Sequence, residues 1–254
     1  MAMPLSERVS ALRRSRTHPD AMTLGEHLGE LRRRLVVVVV AFVVLACVSV
    51  FFYNWEFSLL RHPYCQIHSA SACRFYVTQP LDALGLRVKL AAFGGLVLAS
   101  PVMLWELWRF ITPGLRSTEK RYAVPFVVSS VLLFLVGCTV VYVVLPHTLG
   151  WLIGVGGPSI RALLNPNAYL SLVMLLMVLF GLTFEFPVVL VALQLARVVT
   201  PAALLRHWRW AVIGITIGSA VFTPSSDPFS MLALAVPLVA FYFASIGVGK
   251  LLRR

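Results

Sequence analysis

The stretch LSLVMLLMVLFGLTFEFPVVLVALQL, from Leu170 to Leu195, decides the fold class. It is apolar nearly throughout and longer than the roughly 20 helical residues that cross a 30 Å hydrocarbon core. Its one charge, Glu185, lies in Thr183-Phe-Glu-Phe-Pro187 with no cation near it in sequence. A carboxylate at membrane depth costs a few kcal/mol, about 2.5–3.5 on insertion scales, and such residues face a protein interior or a water-filled hollow. The stretch therefore predicts a membrane helix carrying a functional acid, tilted or bent at Pro187.

Five further apolar stretches flank it. The spans are expected at 35–52, 88–110, 122–145, 168–195, 210–222 and 231–248, giving an all-α membrane protein of six transmembrane helices. Helices five and six are expected to be short. About 13 residues reach only ~20 Å, so these two would thin the bilayer or pack as a pair. The chain is 59% apolar with a mean hydropathy of +0.86, far from a soluble composition. Its 254 residues divide into a polar, basic tail at 1–22 and one membrane domain at 23–250. No apolar core precedes Leu35, so a cleavable leader is not expected and the first span would serve as an uncleaved anchor.

Charge sets the expected orientation. With the N-terminus cytoplasmic, 17 of the 22 basic residues fall on the inner side, and only Arg61, Arg74, Arg87, Lys89 and Arg161 on the outer. The positive-inside rule then places both termini in the cytoplasm. The formal charge of +12 reflects this bias and attraction to anionic membrane lipid, and calls for no nucleic acid partner. Cys65 and Cys73 share the first outer loop, on the oxidising side, and are expected to form a disulfide worth about 2–3 kcal/mol. His62 and His68 lie beside them. That spacing admits a metal, but cysteine pairs outside the cytoplasm favour the disulfide, and no metal is expected.

No catalytic motif is present: no GxSxG, HExxH, Gly-rich phosphate loop or CxxC. An enzyme is not expected, nor a cofactor. Polar features gather instead at span ends. Glu26-His-Leu-Gly-Glu30-Leu-Arg-Arg-Arg34 reads as a helix start, with Thr23 and Glu26 as a capping box. Glu30 is placed to pair with Arg33 or Arg34. An amphipathic helix on the inner leaflet would explain the same pattern. Phe110-Ile-Thr-Pro-Gly-Leu-Arg-Ser-Thr-Glu-Lys-Arg-Tyr122 links spans two and three. There Glu119 either serves the first turn of the next helix or joins Glu30 as a second carboxylate on one rim, suited to guanidinium forks. Asp227-Pro228 reads as an N-cap with Pro at the first helical position.

Four motifs in order carry a family resemblance: Glu26-His27-Leu28-x-Glu30-Leu31-Arg32-x-Arg34-Leu35, then Trp108-x-Phe110-Ile-Thr-Pro113-Gly114-Leu115-x-x-x-Glu119-x-Arg121, then Phe184-Glu185-Phe186-Pro187, then Thr223-Pro224-x-x-Asp227. The chain resembles TatC, the multispanning core of the twin-arginine protein translocase. The resemblance implies a cupped, six-helix receptor in the bacterial cytoplasmic membrane. It would bind twin-Arg signal peptides of folded precursor proteins and export them on the proton-motive force, in an oligomeric complex with single-span subunits of the TatA and TatB type. Carried over by motif, Glu30 and Glu119 contact the arginines, with Arg32, Phe110, Pro113, Leu115 and Arg121 around them. Glu185 would line the intramembrane cavity and Asp227 the outer turn. Met231 departs from the Gln frequent in the family. The rival reading is a small proton-coupled secondary transporter titrating Glu185; against it, the chain shows no three-span repeat and no second intramembrane acid or His to relay protons.

Overall fold

The computed structural model describes residues 24–67, 79–111, 123–155, 165–223 and 228–252. These residues form helices and no strand. In chain order they are α1 (Leu24–Phe51), α2 (Tyr53–Ile67), α3 (Pro80–Ile111), α4 (Ala123–Val155), α5 (Pro166–Thr183), α6 (Phe186–Leu195), α7 (Pro201–Arg206), α8 (Trp208–Phe222) and α9 (Pro228–Leu252). The chain divides into two compact units, one ending at Val37 and the other beginning at Val38.

Five stretches are long and apolar enough to cross a membrane: Leu28–Phe51, Leu81–Phe110, Val124–Leu152, Pro166–Leu195 and Pro228–Leu251. In a single chain these make a multi-pass membrane protein. The α1 stretch is only 6% buried, against 50% for Pro166–Leu195. Val43 and Val44 are accordingly exposed, on a surface that suits lipid and not water. The α8 helix, at 15 residues, reaches about 22 Å, as short as expected.

The last helix is longer than its sequence suggested. It was expected over 231–248, yet α9 has 25 residues, about 37 Å. Pro228 fits a first helical turn, where its missing N–H costs nothing. At the far end Gly249 closes on the Gln194 side chain, so packing carries the helix past the glycines. The fourth span also differs. It is two helices, broken at Phe184–Glu185. Pro187 stands in the first turn of α6. Its ring cannot sit against the carbonyl four residues back, that of Thr183, and α5 ends at Thr183.

The core is built on α5. Leu170, Val173, Leu176, Met177 and Phe180 are buried along it. The α4–α5 crossing is close: a Cβ at Gly137 would lie 2.8 Å from the Phe180 carbonyl oxygen. The start of α5 is fixed by Asn165, whose side chain accepts the Asn167 N–H at 2.8 Å. Asn165 and Asn167 also donate to Asp82 of α3 at 3.2 and 3.3 Å. The α2 helix seals the same end, with Leu60 and Tyr64 buried and the Tyr169 hydroxyl donating to the Leu60 carbonyl at 3.0 Å. After α6, Arg197 adopts φ 60° while the Val198 N–H bonds the Leu193 carbonyl, a left-handed helix stop of the Schellman kind.

Candidate functional site

Glu30 lies in the first unit, on α1. Its Oε1 accepts from both Nε of Arg34, at 3.1 Å, and Nη2 of the same guanidinium. Of the two partners expected from the sequence, Arg34 is the one engaged. Spacing of four residues makes this the favourable helical orientation, acid before base. Arg32 is exposed on the same helix. The expected partners Pro113, Leu115, Glu119 and Arg121 lie outside the described residues, as does Asp227.

The second unit holds the other site residues. At the end of α3, Phe110 is half-buried. Two residues earlier Trp108 is buried, stacks on Phe126 with ring centres 5.0 Å apart, and donates its indole N–H to the Ser130 hydroxyl at 2.8 Å. Ser130, fully buried on α4, stands close to Glu185. Glu185 occupies the break between α5 and α6 and makes no side-chain cap bond there. Its Oε1 is buried without a hydrogen-bond partner. Trp108, Ser130 and Glu185 thus gather polar groups inside the apolar bundle. Sequence singled out the first and last of these; the serine gave no signal, being one hydroxyl in an apolar run.

A buried acid was passed over in the sequence. Glu56, in the first turn of α2, is 8% exposed. Its Oε1 accepts the Ser49 hydroxyl of α1 at 2.6 Å, and its Oε2 is buried without a partner. Burial pushes its pKa up from the ordinary value, with the Ser49 bond acting the other way. The α2 sequence YNWEFSLLRHPYCQI is mixed in character, so nothing in it marked one acid as buried. Further along α2, Cys65 is disulfide-bonded, so it offers no thiolate to a metal. Cys47 and Cys138 are free, and Cys73 lies outside the described residues.

Residues 26–237 match the family model described as Sec-independent protein translocase protein (TatC). The chain belongs to the TatC family. Among curated TatC proteins, that of Frankia casuarinae is 39% identical over 94% of this chain and 69% of its own length. That of Aquifex aeolicus is 36% identical over 92% of this chain and 97% of its own. A crystal structure described as the twin arginine translocase receptor TatC superposes with a TM-score of 0.73 at 35% identity, covering 90% of this chain and all of the other. A second, in the detergent DDM, gives 0.74 at 34% identity, covering 88% and 99%. As a TatC family member the chain is a protein translocase subunit and not an enzyme. Membership sets aside the transporter reading and explains why a catalytic constellation was not found in the sequence.

Proposed function

We propose that this TatC family member is the signal-peptide receptor of its translocase, reading consecutive arginines with Glu30 and Glu119. The observation that carries the proposal is the fork already made on Glu30, whose carboxylate takes two donors of one guanidinium. A ligand arginine offers the same planar fork, whereas lysine offers a point charge. Arg32, Phe110, Pro113, Leu115 and Arg121 surround the pair. Six spans, both termini cytoplasmic, cup an intramembrane hollow lined by Glu185, with Asp227 starting the last helix and a Cys65–Cys73 disulfide closing the first outer loop. Single-span subunits of the TatA and TatB type join the receptor in an oligomer in the bacterial cytoplasmic membrane, and the proton-motive force drives export.

Binding of a twin-Arg signal peptide and its twin-Lys variant to the purified protein in nanodiscs tests the reading. Each desolvated charged pair contributes on the order of 1.5–3 kcal/mol. Glu30→Gln and Glu119→Gln should each weaken Arg-Arg binding at least about tenfold and Lys-Lys binding much less. Equal losses for both peptides would overturn the assignment.

A further inference from the structure

The α3 helix ends at Ile111 and α4 begins at Ala123, and residues 112–122 join them. A connection of that length extends to roughly 36 Å, so by itself it leaves the separation of the two helix ends open. Side chains set it instead. Trp108, one turn before the end of α3, stacks on Phe126, one turn into α4, with ring centres 5.0 Å and planes 19° apart. Its indole N–H donates to the hydroxyl of Ser130, a further turn along α4, at 2.8 Å. Trp108 and Ser130 are both buried. The contact has its own small apolar cluster, with Leu104, Val127 and Phe134 and, from α6, Val188 and Ala192. That cluster is distinct from the core built on α5.

We propose that Trp108 is a positioning residue for signal-peptide recognition: it holds the base of the α3–α4 connection so that Glu119 meets an arginine in one geometry. The role rests on the receptor reading above, which assigns Glu119 to the twin arginines. Three features carry it. First, phenylalanine at 108 would serve apolar packing alone. A ring stack leaves rotation about its normal free, and the directional N–H bond to Ser130 removes that freedom. Stack and bond together fix both the distance and the rotation of α4 against α3. Second, the contact lies three residues inside each helix end, so a shift there passes directly into the connection. Third, both bonded groups are buried, so water cannot replace a lost partner. The chemistry at Glu119 then makes position matter. A bidentate guanidinium–carboxylate pair demands its geometry, whereas the point charge of lysine tolerates displacement. Loosening the base should therefore cost discrimination more than binding in general.

The test uses the full chain in nanodiscs, with a twin-Arg signal peptide and its twin-Lys variant as probes. Partial unfolding lowers binding of both peptides by the same factor, so the ratio of the two affinities reads position and not stability. Trp108→Phe keeps the stack and removes the N–H. It should lower the Arg-over-Lys ratio about fivefold, the worth of one hydrogen bond. Ser130→Ala should do the same, and the double variant no more than either alone, because one bond joins the two residues. Phe126→Leu removes the stack and spares the bond; it should lower the ratio as well, and it answers the question if another variant does not fold. A wild-type preference that survives unchanged in these variants overturns the role of Trp108 and leaves the receptor reading standing. Losses that add in the double variant mark two independent effects and overturn the role equally. No preference in the wild type overturns the receptor reading, and the role of Trp108 with it.

Discussion

At the residue scale two acids sit inside the helix packing in different company, Glu56 buried and Glu185 half-buried. Glu185 stands beside Ser130, which accepts from Trp108, so Ser130→Ala removes that hydrogen bond and leaves a buried indole N–H unpaired. Bonds of this kind are worth about 0.6–1 kcal/mol each in a bilayer or a core. Ser130→Ala should therefore cost about 1–2 kcal/mol, read as a lower thermal midpoint in detergent. Glu185→Gln keeps an acceptor toward Ser130 and should leave that midpoint nearly unchanged. A larger loss for Glu185→Gln than for Ser130→Ala would mean that the serine is not the hinge of the trio. Glu56 makes a prediction in pH. Burial raises its pKa from 4.5 and Ser49 only partly opposes this. The folded state then binds the proton more tightly than the unfolded chain does. Below the ordinary carboxyl value both states are protonated and the group costs nothing. As pH rises through the native value, the buried form must ionise or the chain must open, and stability falls. Among the described residues, those placed against its carboxyl, Ser49 on α1 and Gly94 on α3, are not cations. Between about pH 5 and pH 8, Glu56→Gln should therefore gain on the wild type in thermal midpoint. A constant gap across that range would show that Glu56 ionises freely in the fold.

At the element scale, close approach between helices is set by glycines whose neighbours are backbone. A Cβ at Gly137 would stand 2.9 Å from the Cα of Gly181 as well as 2.8 Å from the Phe180 oxygen. Backbone cannot swing aside as a side chain can, so Gly137→Val should separate α4 from α5 and cost at least about 2–3 kcal/mol as an overpacked core. Gly214 on α8 has open space where its Cβ would go, so Gly214→Ala should be neutral or stabilise by up to about 1 kcal/mol through helix propensity. Folded yield after size exclusion and thermal midpoint read both variants, and equal effects would refute the packing argument. The contrast also shows what the sequence could carry. Spans were legible because each helix is apolar on nearly every face, and Glu185 because it interrupts one of them. The bend was expected at Pro187, but the break falls earlier, at Phe184–Glu185, because a proline acts on the carbonyl four residues before it. The extent of α9 depends on the contact of Gly249 with Gln194, and α2 on Tyr169 reaching the Leu60 carbonyl across 109 positions. Such partners are distant in sequence, and no local pattern announces them. For the same reason Ser130 and Glu56 stayed unnoticed, while Glu30, expected to pair with Arg33 or Arg34, took the second of these, four residues away.

At the scale of the whole molecule, charge and recognition oppose each other. On the proposed topology the cytoplasmic side carries 17 basic and six acidic residues, a net +11, and faces a ligand with two extra positive charges. Two unit charges 20 Å apart in water repel by about 0.2 kcal/mol, so the 22 or so pairings sum to roughly 4–5 kcal/mol when unscreened. At physiological ionic strength the screening length of about 8 Å cuts that sum to well under ~1 kcal/mol, whereas desolvated contacts at Glu30 and Glu119 are screened far less. Salt should then act with opposite signs in two bilayers. In neutral-lipid nanodiscs, raising salt from about 0.05 M to about 0.3 M should leave twin-Arg peptide affinity flat or raise it up to about fivefold, because long-range repulsion is what the added ions remove. In nanodiscs rich in anionic lipid, which already offsets the basic face, the same change should weaken binding, because the ions now screen attraction to the membrane. Equilibrium titration with an otherwise uncharged peptide reads both arms. If affinity falls with salt in neutral discs as steeply as in anionic ones, the peptide does not meet the basic face, and the receptor site lies elsewhere on the molecule.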